Sequence, residues 1–372
     1  MNYIITGKGY ISELIKQTDA DISIISEEDF RSSNFILDNN DKVYAPTESA
    51  LEIILEKSED IAFINAVNML KDKYKFRKLM NNMYKNFYFK KVNLDDLEST
   101  PLDRSKKYIV KPVKGFFGTA VKELTDKTDI SIITEEIRNE LEENTKYFSE
   151  SVLSKNELII EQFIEGEEYA VDMYYNEFGE PEILNIYHHP IPDRVEYFHI
   201  LYYTNKDIFA KFYDRLKTIF VELNQYLNII NFPIHAEFKL ENEQLIPIEM
   251  NPLRYGGFGL ADLAYHAFGF NPFNAFFSNF KPNWQKIWDK RNEQHFGWVL
   301  GYNGTDIDVE THTPNDEAYL HYLGETLHYV KIDHKENPVF SIAYVKDNSS
   351  KSLQRILATE FNDFFVPVKK GA

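Results

Sequence analysis

The residues best suited to chemistry lie in the stretch FPIHAEFKLENEQLIPIEMNPLRYGG, residues 232–257. Two apolar runs flank a polar turn at ENEQ, the layout of a β-hairpin. Yet Glu237 stands among Ala236, Phe238 and Leu240, and Glu249 stands between Ile248 and Met250. An unpaired carboxylate in such surroundings is costly unless a cation or a proton accompanies it. Folding about ENEQ brings Glu237 and Glu249 together on neighbouring strands, and Asn251, two residues on, shares the face of Glu249. The set offers only oxygen donors, which suits Mg²⁺ better than Zn²⁺ or Cu²⁺. A metal with bound phosphate would neutralise the two carboxylates; a surface salt-bridge cluster is the alternative.

Two other stretches carry chemical potential. Lys111 closes the apolar run YIV and precedes PVKGFFGTA, so Gly115, Gly118 and Thr119 form a turn beside an ammonium group. Backbone N–H groups in such a turn can approach phosphate oxygens; a hairpin with a solvated lysine is the alternative. The spacing is not that of the G-x-x-x-x-G-K-[ST] phosphate loop. In ELIIEQFIEGEEYAVD, Glu161 ends an apolar strand, and Glu165, Glu167 and Glu168 surround Gly166. A strand edge with an acidic group nearby suits an adenine and a ribose; an acidic turn between two strands is the alternative. Gly7 and Gly9 follow the first strand in TGKGYIS without the full dinucleotide fingerprint, which favours a tight strand-to-helix turn.

Elements positioning these residues follow from the patterning. NYIIT, DISIIS and IAFINA read as strands, alternating with helices over GYISELIKQT and TESALEIILEKS, which predicts a small parallel α/β unit. A Lys- and Arg-dense helix, NMLKDKYKFRKLMNNMYKNF, comes next. Strands KYIVKPV and AVKEL, an acidic helix around 134–148, and strands ELIIEQFI and EYAVDMYYN form a second unit. Further strands, a helix over DIFAKFYDRLKTIFVELNQYLN and the hairpin follow. VFSIAYVKD and SKSLQRILATEFNDFFV read as a closing strand–helix pair.

Composition bounds the function. With 372 residues, 43% hydrophobic and 15% aromatic, the chain suffices for two or three packed subdomains. A net charge of −18 argues against nucleic acid or an anionic membrane as a partner, so an anionic ligand needs a local cluster of cations. Zero cysteines exclude disulfides, thiolate metal sites and a cysteine nucleophile. The N-terminal residues lack a signal-peptide layout, and their apolar run is too short for a bilayer; a cytoplasmic protein is expected.

Taken in order, these motifs resemble the ATP-grasp family over about Lys73 to Gly257, half of the chain. The resemblance implies an α/β chain with an ATP-grasp fold, preceded by a small parallel α/β pre-ATP-grasp domain and followed by a small α+β portion. The implied divisions are 1–70 for the pre-ATP-grasp domain, 71–99 for the basic helix and connection, 100–178 for the small lobe, 179–290 for the large lobe with the metal hairpin, and 291–372 for the C-terminal portion. DKYKFRKLM is similar to the family helix whose lysine, here Lys73, reaches the nucleotide phosphates. YIVKPVKGFFGTAV resembles the strand and glycine loop, with Lys111 on the phosphates beside Gly115, Gly118 and Thr119. IIEQFIEGEEYAVD resembles the hinge strand. There Glu161 would accept from the adenine amino group, Gln162, Phe163 and Ile164 would offer backbone contacts, and Glu168 would hold the ribose. HAEFKLENEQLIPIEMNP resembles the magnesium hairpin, with Glu237, Glu249 and Asn251 as ligands. Two departures stand out: Phe116 and Phe117 occupy a loop usually richer in small residues, and NPLRYGG places Arg254 one position later than the usual Asn-Pro-Arg.

The resemblance implies a ligase using ATP and Mg²⁺, with Mn²⁺ as an alternative. It would activate a carboxylate as an acyl phosphate, release ADP and phosphate, and join the acyl group to an amine. Lys111 and Arg254 are its expected catalytic residues, Arg254 steadying the substrate carboxylate or the transferring phosphoryl. Arg194, in YHHPIPDRVEYFH, is a second expected carboxylate contact and suggests an amino acid or peptide-like acid. A nucleotide sensor or assembly protein without turnover, and a phosphotransferase to another acceptor, fit the same ATP motifs. A homodimer is left open.

Overall fold

The computed structural model describes residues 1–7, 9–18, 21–115, 118–144, 146 and 153–368. Phe116 and Phe117, and the end of the acidic helix expected to reach 148, lie outside these residues. At the N-terminus β1 (Asn2–Thr6), β2 (Ile22–Ser26) and β3 (Lys42–Tyr44) form a parallel sheet in the order β2-β1-β3. IAFINA, expected as a strand, instead begins the helix Ile61–Lys71. So short a run, five apolar residues and Asn65, does not distinguish the two structures by periodicity. Asp60 decides locally, its carboxylate capping the amides of Ala62 and Phe63, and Ala66, Val67 and Leu70 then form the buried stripe. The third strand is KVY, three residues too short to stand out in the sequence.

The next unit is a four-stranded antiparallel sheet of β4 (Phe89–Asn93), β5 (Tyr108–Pro112), β6 (Lys122–Leu124) and β7 (Glu157–Gln162), ordered β4-β7-β5-β6. The helix Ile130–Asn144 buries Ile137 and Leu141 against it, and the unit has a hydrophobic core of its own. After the turn at Gly166 the chain enters an eight-stranded antiparallel sheet. Its strands are β8 (Glu167–Tyr175), β9 (Pro181–His189), β10 (Leu201–Thr204), β11 (Phe232–Glu241), β12 (Gln244–Pro252) and β13 (His295–Tyr302), joined, past the short β14 (His312–Pro314), by β15 (Thr326–Lys331) and β16 (Val339–Asp347). The order is β12-β11-β8-β9-β10-β13-β16-β15, so the C-terminal strands β13, β15 and β16 belong to the same sheet as the hairpin. β17 (Phe365–Pro367) pairs with β14.

Helix Lys206–Leu227 buries Phe209, Phe212, Leu216, Phe220, Leu223 and Leu227, a three- and four-residue stripe facing the large lobe. One core joins Tyr3 and Ile5 of the N-terminal sheet to the large lobe and to Tyr344 of β16. The four-stranded unit therefore has a separate core, and the candidate residues lie where it meets the shared one.

Candidate active site

Helix Lys73–Met80 starts at Asp72, whose carboxylate accepts from the amides of Tyr74 and Lys75. That cap fixes Lys73 in the first turn, and its amide donates to the Val113 carbonyl at 2.7 Å. The Lys73 ammonium reaches the Gly115 carbonyl (3.2 Å) and Glu249 Oε1 (2.9 Å), linking the glycine turn to the hairpin. Burial disfavours its charge, but Glu249 outweighs this and raises the lysine above its ordinary range.

One turn further along the helix, Arg77 is buried. Its Nε donates to Glu161 Oε1 (2.8 Å), its Nη1 to the Pro247 carbonyl (2.8 Å), and its guanidinium carbon lies 4.3 Å from the Phe87 ring centre. Lys111 holds the other oxygen, Glu161 Oε2, at 2.7 Å. Burial pushes the Glu161 carboxyl up, yet Arg77 and Lys111 outweigh it and hold the group at about 2. The hinge strand next to it is anchored through its amides: Gln162 donates to Tyr88 O and Phe163 to Lys107 O. The ammonium groups of Lys107 and Lys239 lie 5.4 and 5.2 Å from the Phe163 ring centre, and Ile164 is buried.

Gly166 turns the hinge with φ +107°, and a Cβ there would stand 2.1 Å from the Leu240 carbonyl. Just beyond, Glu168 is buried, with Oε1 2.7 Å from His189 Nδ1. Burial raises this carboxyl, but the hydrogen bond and charge of His189 bring it below its ordinary value. His189 also bonds Phe198 O and stacks on Tyr202 at 4.0 Å. His188 bonds the Tyr203 hydroxyl.

The hairpin is built by a two-residue turn with Asn242 and Glu243 both at positive φ, the twist that matches antiparallel strands. From that turn the ladder pairs Phe238 with Pro247, then shifts by one residue so that Glu237 pairs with Glu249 and His235 with Asn251. This β-bulge leaves Ile248 as the extra residue. Without it Glu237 would oppose Ile248, and Glu249 would point to the other face. Pro247, which has no N–H to donate, is tolerated because β12 is an edge strand and bulged here, and its carbonyl is the one Arg77 takes.

His235 Nε2 is 3.5 Å from Glu237 Oε1, while its Nδ1 meets Asp172 Oδ1 at 2.8 Å. Burial disfavours the imidazolium, but these two carboxylates outweigh it and raise His235 to about 9. Beyond the hairpin Arg254 donates to Glu48 Oε1 (3.0 Å), which an N-terminal 3-10 turn presents and Lys71 also pairs. Docking of the N-terminal sheet fixes this contact: Ala45 donates to Leu253 O, and Tyr255 donates to the Tyr44 hydroxyl. Burial opposes ionisation of Glu48, but Lys71 and Arg254 prevail and hold it at about 2.

The structure thus brings Lys73, Lys111, Gly115, Glu161, Glu237, Glu249 and Asn251 around one junction, with Arg254 joined through Glu48. Gly118, at φ +70°, and Thr119 resume the chain after the loop. Arg194 stands elsewhere in the pairing scheme: it is exposed, and its ion pair is with Glu360. Lys71, Arg77, Glu48, Asp172 and His235 were not singled out from the sequence. Arg77 alone left a signal there, four residues after Lys73 and so on the same helix face.

Among the described residues no three His, Cys, Asp or Glu side chains cluster as a metal cage. The two carboxylates and one amide oxygen of the hairpin still fit Mg²⁺, which keeps several waters and takes few protein ligands.

Residues 105–262 match the model of the ATP-grasp domain family. Over those residues the chain is similar to the ATP-grasp domain. Three solved structures resemble it along nearly its whole length. An L-amino acid ligase from Bacillus licheniformis is 15% identical, with 100% of this chain and 99% of that one covered and a TM-score of 0.67. An N5-carboxyaminoimidazole ribonucleotide synthetase from Thermotoga maritima is 13% identical, with both chains covered at 100% and a TM-score of 0.62. A phosphoribosylglycinamide synthetase from Anaerococcus prevotii is 15% identical, with 99% of each covered and a TM-score of 0.57. At these identities the likeness is one of fold. No curated protein matches the chain by sequence. Among the described residues no helix is long and apolar enough to cross a membrane.

Proposed function

We propose that this protein is an ATP-dependent carboxylate–amine ligase that works through an acyl phosphate. The observation that carries the reading is the convergence of Lys71, Lys73, Lys111 and Arg254, in a chain of net charge −18, beside the paired carboxylates Glu237 and Glu249. Such a concentration of cations suits a polyphosphate. Each is already matched to a carboxylate, so ligand binding exchanges partners: Lys73 passes from Glu249 to phosphate, and Glu249, Glu237 and Asn251 become free to hold Mg²⁺. When bound there, that ion would neutralise charge on the β- and γ-phosphates.

In this reading Lys73 and Lys111 grip the phosphates beside Gly115, Gly118 and Thr119. The hinge residues Glu161 to Ile164 hold the adenine, and Glu168, oriented by His189, holds the ribose. Each Glu161 oxygen has a further lone pair beyond those used by Arg77 and Lys111, so it can still accept from an amino group. Arg254 steadies the carboxylate being activated or the phosphoryl moving to it. No protein nucleophile is required, because phosphoryl transfer is governed by positioning and charge compensation. The amine then displaces phosphate from the acyl phosphate. The amino-acid ligase among the structural neighbours supports amino acids as the first acids and amines to supply.

The test is to incubate the protein with Mg²⁺-ATP, pools of amino acids and hydroxylamine. ADP, phosphate and a hydroxamate are expected. AMP with pyrophosphate would overturn the mechanism, and ADP with a stable phosphorylated product would mark a phosphotransferase.

A further inference from the structure

We infer that Asp172 and His235 are positioning residues that fix the metal hairpin and the loop after it to one carboxylate, an inference that rests on the assignment of Glu237 and Glu249 to metal. The strand registers make a row across three strands: Asp172 of β8 pairs with His235 of β11, and His235 pairs with Asn251 of β12. The adjacent row on the same face is Ala170, Glu237 and Glu249. His235 therefore stands between the buried Asp172 and two of the three candidate ligands. Its Nδ1 donates to Asp172 Oδ1 at 2.8 Å, which fixes the ring so that Nε2 faces Glu237 Oε1 at 3.5 Å.

The same Asp172 oxygen accepts from the Gly256 amide at 2.8 Å, and Oδ2 accepts from the Tyr187 hydroxyl at 2.7 Å. Asp172 is 1% exposed. One oxygen thus joins the hairpin face, through His235, to the Arg254–Gly257 segment that follows it. Gly256 sits close against Leu260, where a Cβ would meet that side chain at 2.7 Å, so the amide has little freedom to move away. Groups that orient metal-binding carboxylates change affinity on the order of 10–100-fold when removed. The arrangement assigns that role to a histidine lying between the hairpin carboxylates and a buried aspartate.

The experiment compares thermal stabilisation by ADP with Mg²⁺ against ADP with EDTA, each referred to the same variant without ligand. His235→Gln and Asp172→Asn are expected to keep the stabilisation by ADP alone and to lose most of the Mg²⁺-dependent increment. In Mg²⁺ titrations their apparent affinity should fall on the order of 10–100-fold. Tyr187→Phe removes another hydrogen bond from Asp172 without touching the hairpin and should leave the increment unchanged. An unchanged increment in His235→Gln would overturn the inference, as would an equal loss in Tyr187→Phe, which would mark general loosening. Should Asp172→Asn fail to fold, His235→Gln decides. Glu237→Gln separates the two levels: if it keeps the increment, the metal assignment itself fails.

Discussion

Replacing Arg77 by Met tests how the Glu161 end of the candidate site is held together. The guanidinium is 1% exposed and supplies the hydrogen bond to Glu161 Oε1, the bond to the Pro247 carbonyl and the contact with Phe87. Glu161 is held at about 2 against an ordinary 4.5, which corresponds to about 3 kcal/mol of favourable interaction with the charged form. Arg77 contributes more to this than Lys111, so about half of that or more goes with the arginine. An unsatisfied buried carbonyl adds about 1–3 kcal/mol and the lost stacking about 1 kcal/mol. Arg77→Met should therefore cost about 3–5 kcal/mol, the range for breaking a buried ion pair from one side.

Part of this cost comes from stranding a carboxylate, and neutralising the partner should return that part. Arg77→Met/Glu161→Gln is expected to be at least ~1 kcal/mol more stable than Arg77→Met alone. The pH dependence follows from the sign of the Glu161 displacement. Its carboxyl is depressed in the folded state, so its contribution is fully present above 4.5 and is lost as pH falls toward 2. In Arg77→Met about half of that contribution or more is missing at every pH, Lys111 supplying the rest. The gap between wild type and variant should be widest near neutral pH and narrow below about pH 4. Urea unfolding followed by tryptophan fluorescence measures all three proteins. A loss under ~1 kcal/mol, a double variant no better than the single, or a gap independent of pH would refute the reasoning.

Glu249→Gln leaves the buried Lys73 ammonium with only the Gly115 carbonyl, so it should lower the unfolding midpoint while the protein still folds. Its ATP turnover should fall at least ~100-fold, since the carboxylate is assigned to a metal worth several kcal/mol to the transition state; near-normal turnover in a coupled ADP assay would remove Glu249 from the site. Gly166→Ala should destabilise the hinge, because its φ of +107° disfavours a side chain and the Cβ would stand 2.1 Å from the backbone oxygen of Leu240. Faster local hydrogen exchange in β7 and β8 checks this, and unchanged protection there would mean that the turn relaxes without penalty.

What could be read from the sequence was chemistry carried by single residues, and what could not was set by registers and docking. Glu237, Glu249 and Asn251 stand out because carboxylates and an amide interrupt apolar strands, and their twelve-residue spacing suggests proximity. Spacing alone does not secure it. With the two-residue turn at Asn242 and Glu243, an unbroken ladder would put Glu249 on the wrong face, and the one-residue bulge at Ile248 restores the pairing. Pro247 is the trace of that bulge in the sequence, a residue poorly suited to a regular strand. The helix at IAFINA is not legible from its pattern, because five apolar residues and one asparagine carry no decisive period, whereas its Asp60 cap marks the start. Glu48 had no local signal at all. Its meeting with Arg254 depends on the N-terminal sheet docking through Tyr44 and Ala45 onto Leu253 and Tyr255. The motifs supply the donor atoms, while the bulge, the helix cap and the docked sheet decide which donors face one another. A search for such sites therefore gains more from explaining an awkward proline beside a carboxylate than from lengthening the motif.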